Sequence, residues 1–224
     1  MDHVVVTLDG PAGVGKSTMA KGLSEALGIP YLDTGAMFRG VAWRLGRNAW
    51  EWDADRLARA LEEIRFDLHG SGADSGLSLN GEPLGAEIRT EEVGMWASHV
   101  AKLPVIRDFL KAAQRAVGER SSLVAEGRDM GSVVFPNALM KFFLDADPEE
   151  RARRRYEQLR AMGREADLEA LTKSIRARDE QDRNRAVAPL RAASDAVVVD
   201  TTRLSEEVVA ATLLETVRQR MAGK

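Results

Sequence analysis

The chain has 224 residues, 44% hydrophobic and 30% charged, with a net charge of −3; this suits one α/β-sized core with room for an excursion or two and excludes a disordered chain. Cysteine is absent, which excludes disulfide scaffolds, thiolate zinc sites and cysteine nucleophiles, and His3, His69 and His99 are too scattered for a metal cluster. No run of 18 apolar residues occurs, and the chain enters a strand-like stretch without a signal peptide's basic and apolar regions, so a cytoplasmic protein with no membrane partner is expected.

In chain order, residues 4–8 (Val-Val-Val-Thr-Leu) form a short β-branched run that breaks at Asp9-Gly10-Pro11, the pattern of a buried strand opening onto a loop. Helical stretches follow at 16–27 and 35–45. Between Ile64 and Leu84 the rhythm changes: four glycines and an Asn80-Gly81 pair separate short alternating segments, which predicts an antiparallel insertion. The alternation resumes with a helix at 104–117, strands at 122–125 and 140–144, helices at 148–162 and 168–185, a strand at 196–199 and a helix at 205–221. Caps such as Asp147-Pro148 and Ser205-Glu206-Glu207 mark several starts. Strands alternating with helices predict a mostly parallel sheet. Of the basic residues 25 are Arg and 7 Lys, which reflects either compositional bias or a need for planar guanidinium forks at phosphates; their positions must decide.

Gly10-Pro11-Ala12-Gly13-Val14-Gly15-Lys16-Ser17 fits G-x-x-x-x-G-K-[ST] between a hydrophobic strand and a helix. Glycines in such a loop let backbone N–H groups surround a triphosphate at the positive end of a helix. Lys16 is expected to reach the β- and γ-phosphates of ATP, and Ser17 to hold Mg2+. This loop fixes a nucleotide and leaves its purpose open. A GTPase would carry N-K-x-D, and none of Asn48, Asn80, Asn137 or Asn184 is followed by Lys; Asp67-Leu68-His69-Gly70 matches a switch D-x-x-G only as a short pattern. A shikimate-type kinase would carry D-x-D where Leu32-Asp33-Thr34-Gly35 stands. A nucleotide-dependent switch or a nucleic-acid-associated ATPase remains as an alternative.

Four segments together resemble bacterial cytidylate kinases: Leu8-Asp9-Gly10-Pro11 leading into the loop, Leu32-Asp33-Thr34-Gly35-Ala36-Met37-Phe38-Arg39, Glu126-Gly127-Arg128-Asp129-Met130-Gly131, and Arg183-Asn184-Arg185-Ala186-Val187-Ala188-Pro189-Leu190. The resemblance spans nearly the whole chain. It implies a P-loop NTPase fold with a central parallel sheet flanked by helices, a small antiparallel acceptor-binding insertion and a short helical lid. The expected division is a core over 1–60, 90–147 and 186–224, the insertion over 61–89 and the lid over 148–168.

The activity implied is transfer of the γ-phosphate of ATP to CMP or dCMP by a monomer that binds no nucleic acid. The residue types suit the roles the resemblance assigns. Gly10 to Thr18 would hold ATP; Asp33 and Thr34 would bind the acceptor, and Arg39 and Arg128 would clamp its phosphate; Ser98, Arg107 and Asp129 would read cytosine, which offers an amino donor beside two acceptors. Arg178, Asp182 and Arg185 recur at i, i+4 and i+7, which by spacing alone suits a surface ion-pair ladder equally well; the resemblance gives the first two to the sugar and Arg185 to phosphate. Catalytic roles fall to Lys16, Arg128 and two lid arginines, Arg151 and Arg154, chosen from a dense run in which charge patterning alone also allows a solvated face. Thr34 replaces the Ser of many relatives, and Lys16-Ser17-Thr18 replaces Lys-Gly-Thr; a hydroxyl survives in each case.

Overall fold

A computed structural model describes residues 3–185 and 187–223. Ala186 of the fourth motif, and Met1, Asp2 and Lys224 at the ends, lie outside the described residues. Strand β1 (Val5–Asp9) is the centre of a five-stranded sheet of order β2-β6-β1-β7-β8, with β2 Tyr31–Asp33, β6 Leu123–Gly127, β7 Met140–Asp145 and β8 Val197–Asp200. Every pairing in it is parallel. The β-branched run of β1 suits this place, because a central parallel strand is covered on both faces and tolerates no polar stripe.

Helices α1 (Lys16–Leu27) and α8 (Glu206–Ala222) cover one face, where Met19, Leu23, Leu213 and Val217 meet Val6, Leu8 and Phe142. The other face carries α2 (Thr34–Leu45) and α5 (Pro104–Arg120), joined by α3 (Ala54–Glu62) and α4 (Glu91–Val100). Helix α1 ends at Gly28 with φ 66°, a left-handed cap that glycine adopts without strain. The insertion is a three-stranded antiparallel sheet of β3 (Phe66–His69), β4 (Gly76–Leu79) and β5 (Glu82–Pro83). Asn80 and Gly81, at φ 53° and 86°, make the β4–β5 turn as their dipeptide predicts. No helix among the described residues is long and apolar enough to cross a membrane.

Helix α6 (Pro148–Ala161) packs against α7 (Leu168–Asn184), and its first turn is bound into the core. The Arg151 side chain is 1% exposed. It grips the Asp179 carboxylate of α7 with two nitrogens, donates from Nη1 to the Ala12 carbonyl at 3.0 Å and from Nε to the Ala146 carbonyl at 2.9 Å. One guanidinium thus ties α6, α7 and the loop after β1 together.

Removing one partner of a buried pair leaves the other charge uncompensated, at a cost of about 3–5 kcal/mol. Arg151→Met is therefore expected to lower Tm by roughly 6–20 °C in a thermal melt, at about 2–4 °C per kcal/mol for this chain length. Adding Asp179→Leu should recover most of the loss. A melt of the single variant within 2 °C of the parent contradicts the assignment.

Candidate active site

Because β1 lies between β6 and β7, the loops leaving the carboxyl ends of β1, β2 and β6 converge on one crevice, the place where open α/β sheets hold their ligands. In the loop at 10–17, Gly10, Gly13 and Gly15 take φ of 148°, 76° and 90°. A Cβ on Gly10 would stand 2.1 Å from the Leu144 carbonyl oxygen, so the loop closes against β7 only with glycine there. Lys16 opens α1, is 6% exposed, and donates from Nζ to the Pro11 carbonyl at 2.6 Å. Burial, then the charge of Arg128, pushes its ammonium well below the ordinary lysine range.

Beside Lys16 stands Glu126, the penultimate residue of β6. Its Oε1 accepts from Ser17 Oγ at 2.7 Å and from the Tyr31 hydroxyl. Burial, then Asp33, raises its carboxyl above the usual range. Burial and Glu126 likewise raise the Tyr31 hydroxyl. The Thr34 hydroxyl donates to the Glu126 carbonyl at 2.6 Å, which fastens the start of α2 to the end of β6. Asp33 caps α2 by accepting from Ala36 N at 2.8 Å and also receives Arg89 at 2.8 Å.

These groups open into a cavity of about 650 Å³ whose far wall is α4, α5 and α7. It is crowded with cations. Burial lowers the Arg178 guanidinium, with Arg128 adding to the effect; burial lowers Arg185; burial and then Arg89 lower Arg39. Like charges pushed together in a partly dry cleft form an anion site, since a phosphate relieves both the repulsion and the lost hydration. Carboxylates offset part of this: Arg128 Nε donates to Asp182 Oδ2 at 2.9 Å. Arg107 Nη2 donates to Asp129 Oδ2 at 2.5 Å, a pair in which both side chains are buried. Arg185 Nη2 lies 3.4 Å from Asp129 Oδ1 without hydrogen-bonding geometry. Ser98 Oγ accepts from Gln181 Nε2 at 3.1 Å.

The cavity brings together Ala12, Gly13, Lys16, Ser17, Asp33, Thr34, Arg39, Ser98, Arg107, Arg128, Asp129, Arg178, Asp182 and Arg185 from the sequence-predicted set. Others stand elsewhere. Val14 packs in the core beneath the loop, and Thr18 is exposed on α1. Arg151 is consumed by its buried pair. Arg154 turns to Glu150 at 2.9 Å and to the Thr201 carbonyl at 2.6 Å. Neither of these two arginines lines the cavity. In this conformation the cations that do line it are Lys16, Arg39, Arg89, Lys102, Arg107, Arg128, Arg178 and Arg185.

Sequence reasoning passed over Arg89, Glu126 and Gln181. Glu126 had a signal: it ends an apolar strand, where a charge must face a cleft or be paired.

No group of three or more His, Cys, Asp or Glu able to hold a metal occurs among the described residues. The pair of hard oxygens on Ser17 and Glu126, beside a phosphate-binding loop, nevertheless suits Mg2+, which keeps waters and phosphate oxygens and takes only one or two protein ligands.

Comparison with known proteins identifies a family for the chain. A family model described as cytidylate kinase matches residues 6–219. The cytidylate kinase of Maridesulfovibrio salexigens is 64% identical over 200 residues, covering 89% of this chain and 90% of that one. The cytidylate kinase of Oleidesulfovibrio alaskensis is 58% identical over 213 residues, covering 95% and 97%. The crystal structure of an uncharacterized protein from Eubacterium ventriosum superposes with a TM-score of 0.52 at 10% identity over 96% of this chain and 99% of that one, a likeness of fold alone. The chain belongs to the cytidylate kinase family.

Proposed function

We propose that this chain transfers the γ-phosphate of ATP to CMP and dCMP, giving ADP and CDP or dCDP. The observation that carries the reading is the buried Arg107–Asp129 pair at one end of the cavity whose other end is the phosphate-binding loop. A guanidinium donor and a carboxylate acceptor side by side match the N3 and O2 acceptors and the 4-amino donor of cytosine. Uracil turns that amino group into a carbonyl, which would face a carboxylate with no proton between them. Ser98 completes the base pocket, Arg178 and Asp182 hold the sugar hydroxyls, and Arg39, Arg89, Arg128 and Arg185 hold the acceptor phosphate.

The chemistry asks for alignment and charge neutralisation. The acceptor phosphate oxygen attacks the γ-phosphorus in line, the bond to the bridging oxygen breaks, and ADP leaves with the electron pair. The chain's own residues act on the equatorial oxygens: the Lys16 ammonium from the loop, and Arg128 from the acceptor side. Ser17 and Glu126 would hold Mg2+, which would supply charge neutralisation for the transfer. The adenosine belongs over a second cleft of about 680 Å³ lined by Asp147, Arg176, Arg183, Asp200 and Thr202. Arg151 lines that cleft while bonding the Ala12 carbonyl of the loop, and Asn184 lines both cavities.

Two measurements test the reading. Lys16→Met is expected to lower kcat by at least about a hundredfold, as for loss of one donor to the transferring group. Its Tm should not fall, because the parent's ammonium is held against its own desolvation. Steady-state kinetics beside a thermal melt decide this, and activity within threefold of the parent contradicts it. For the base, coupled ADP-release assays should show kcat/KM for CMP at least about tenfold above that for UMP, one lost hydrogen bond being worth roughly 1.4 kcal/mol or more. Asp129→Asn should lower the CMP value and narrow the ratio; an unchanged ratio contradicts the assignment of Asp129.

A further inference from the structure

Asp9, the last residue of β1, stands directly before the phosphate-binding loop and is 4% exposed. Both of its carboxylate oxygens are spent on backbone 121 and 122 residues away: Oδ1 accepts from Met130 N at 2.8 Å and Oδ2 from Gly131 N at 2.7 Å. Those two amides open a π-helical turn, Met130–Val134, whose N-cap residue is Asp129. An aspartate at an N-cap ordinarily satisfies the first free amides of its own helix. Asp129 makes no such bond. Its carboxylate points instead to Arg107 and lies near Arg185 in the cavity. It is free to do so because Asp9 has taken over the cap.

The arrangement links the two ends of the active site. Asp9 and Gly127 are register partners in the parallel pairing of β1 with β6, and the chain runs from Gly127 through Arg128 and Asp129 into the capped turn. We propose that Asp9 is a positioning residue for acceptor recognition: by capping the turn in place of Asp129, it frees the Asp129 carboxylate for the base and fixes it relative to the phosphate-binding loop. This rests on the reading of Asp129 as the base-facing group. A second carboxylate suits it, since a carboxylate turned back onto the amides of its own turn is directed away from Arg107 and the cavity.

The arrangement carries a cost that makes it testable. Burial pushes the Asp9 carboxyl up to about 6, with its two backbone bonds opposing and the charge of Asp129 reinforcing the rise, while Lys16 lowers it. The charged form is thus held against desolvation, and neutral Asn loses one amide bond but also sheds that cost. Asp9→Asn is expected to stay folded. A carboxyl raised on folding loses native stability as pH rises from the unfolded value through 6. The variant's Tm should therefore improve relative to the parent over that range.

The test is a KM split with a double-variant cycle. Asp9→Asn is expected to raise KM for CMP about tenfold and leave KM for ATP within about twofold, because the lost interaction lies on the acceptor side. In an Asp129→Asn background the same change should add less than about threefold, since residues acting as one unit are not additive. KM values for CMP and ATP that move together, or an effect on CMP that multiplies in full on the Asp129→Asn background, overturns the proposal. Should Asp9→Asn melt below the assay temperature, Asp9→Ser, which keeps one acceptor, is measured the same way. A parent that does not prefer CMP refutes the cytosine reading, and the KM split on its best acceptor then decides the role of Asp9 separately.

Discussion

The constraint on which this structure turns is the crowding of like charge at the carboxyl end of a parallel sheet. Lys16, Arg39, Arg128, Arg178 and Arg185 share one cavity; burial pushes down Lys16, Arg39, Arg178 and Arg185, and Arg128 is paired with Asp182. Such a cluster persists only if backbone carbonyls and carboxylates are threaded through it. They are: the Pro11 carbonyl takes Lys16, and the Ile88 and Thr90 carbonyls take Arg39 at 3.3 and 3.4 Å. Glu126 and Asp129 stand within it. The negative charge that the cluster still lacks is what a phosphate chain supplies.

The same ledger of charges separates function from support. Arg107 and Arg151 each hold a buried aspartate, yet only the first opens onto the cavity. Arg151 with Asp179 braces the loop from behind, holding the Ala12 carbonyl in a loop whose Gly10, Gly13 and Gly15 take positive φ. Asp9 braces from the side of β6. Phosphoryl transfer tolerates little misplacement, so rigid bracing of this kind belongs to the catalytic apparatus as much as the groups that touch phosphate.

Much of this was legible in the sequence. The β-branched run into glycines located β1 and its loop, and Asn80-Gly81 located the insertion's turn, because in both places a single backbone conformation demands particular residues. Helices α3 and α4 went unread: α3 is short and highly charged, and α4 carries Gly94 with β-branched Val93 and Val100, a weak helical signature. Strand β2 is three residues long, below what alternation can reveal. The arginine run from 151 to 155 shows the limit most clearly. Its spacing could not say which guanidinium faces inward; packing sent Arg151 to Asp179, Arg154 to Thr201, and Arg153 to Glu150 and Glu157 on the surface. The cap exchange between Asp9 and Asp129 was beyond reach for the same reason, since it joins Asp9 to Met130, 121 positions away.

The central claim is that one cavity holds the phosphates of donor and acceptor together among these cations. A bisubstrate compound joining adenosine and cytidine through a chain of phosphates tests it directly. The account predicts competitive inhibition against both ATP and CMP, with a Kd well below that of either nucleotide alone, since the second site is filled at high effective concentration. Inhibition competitive with only one of them, or a Kd no better than that of ATP, would contradict a shared cavity.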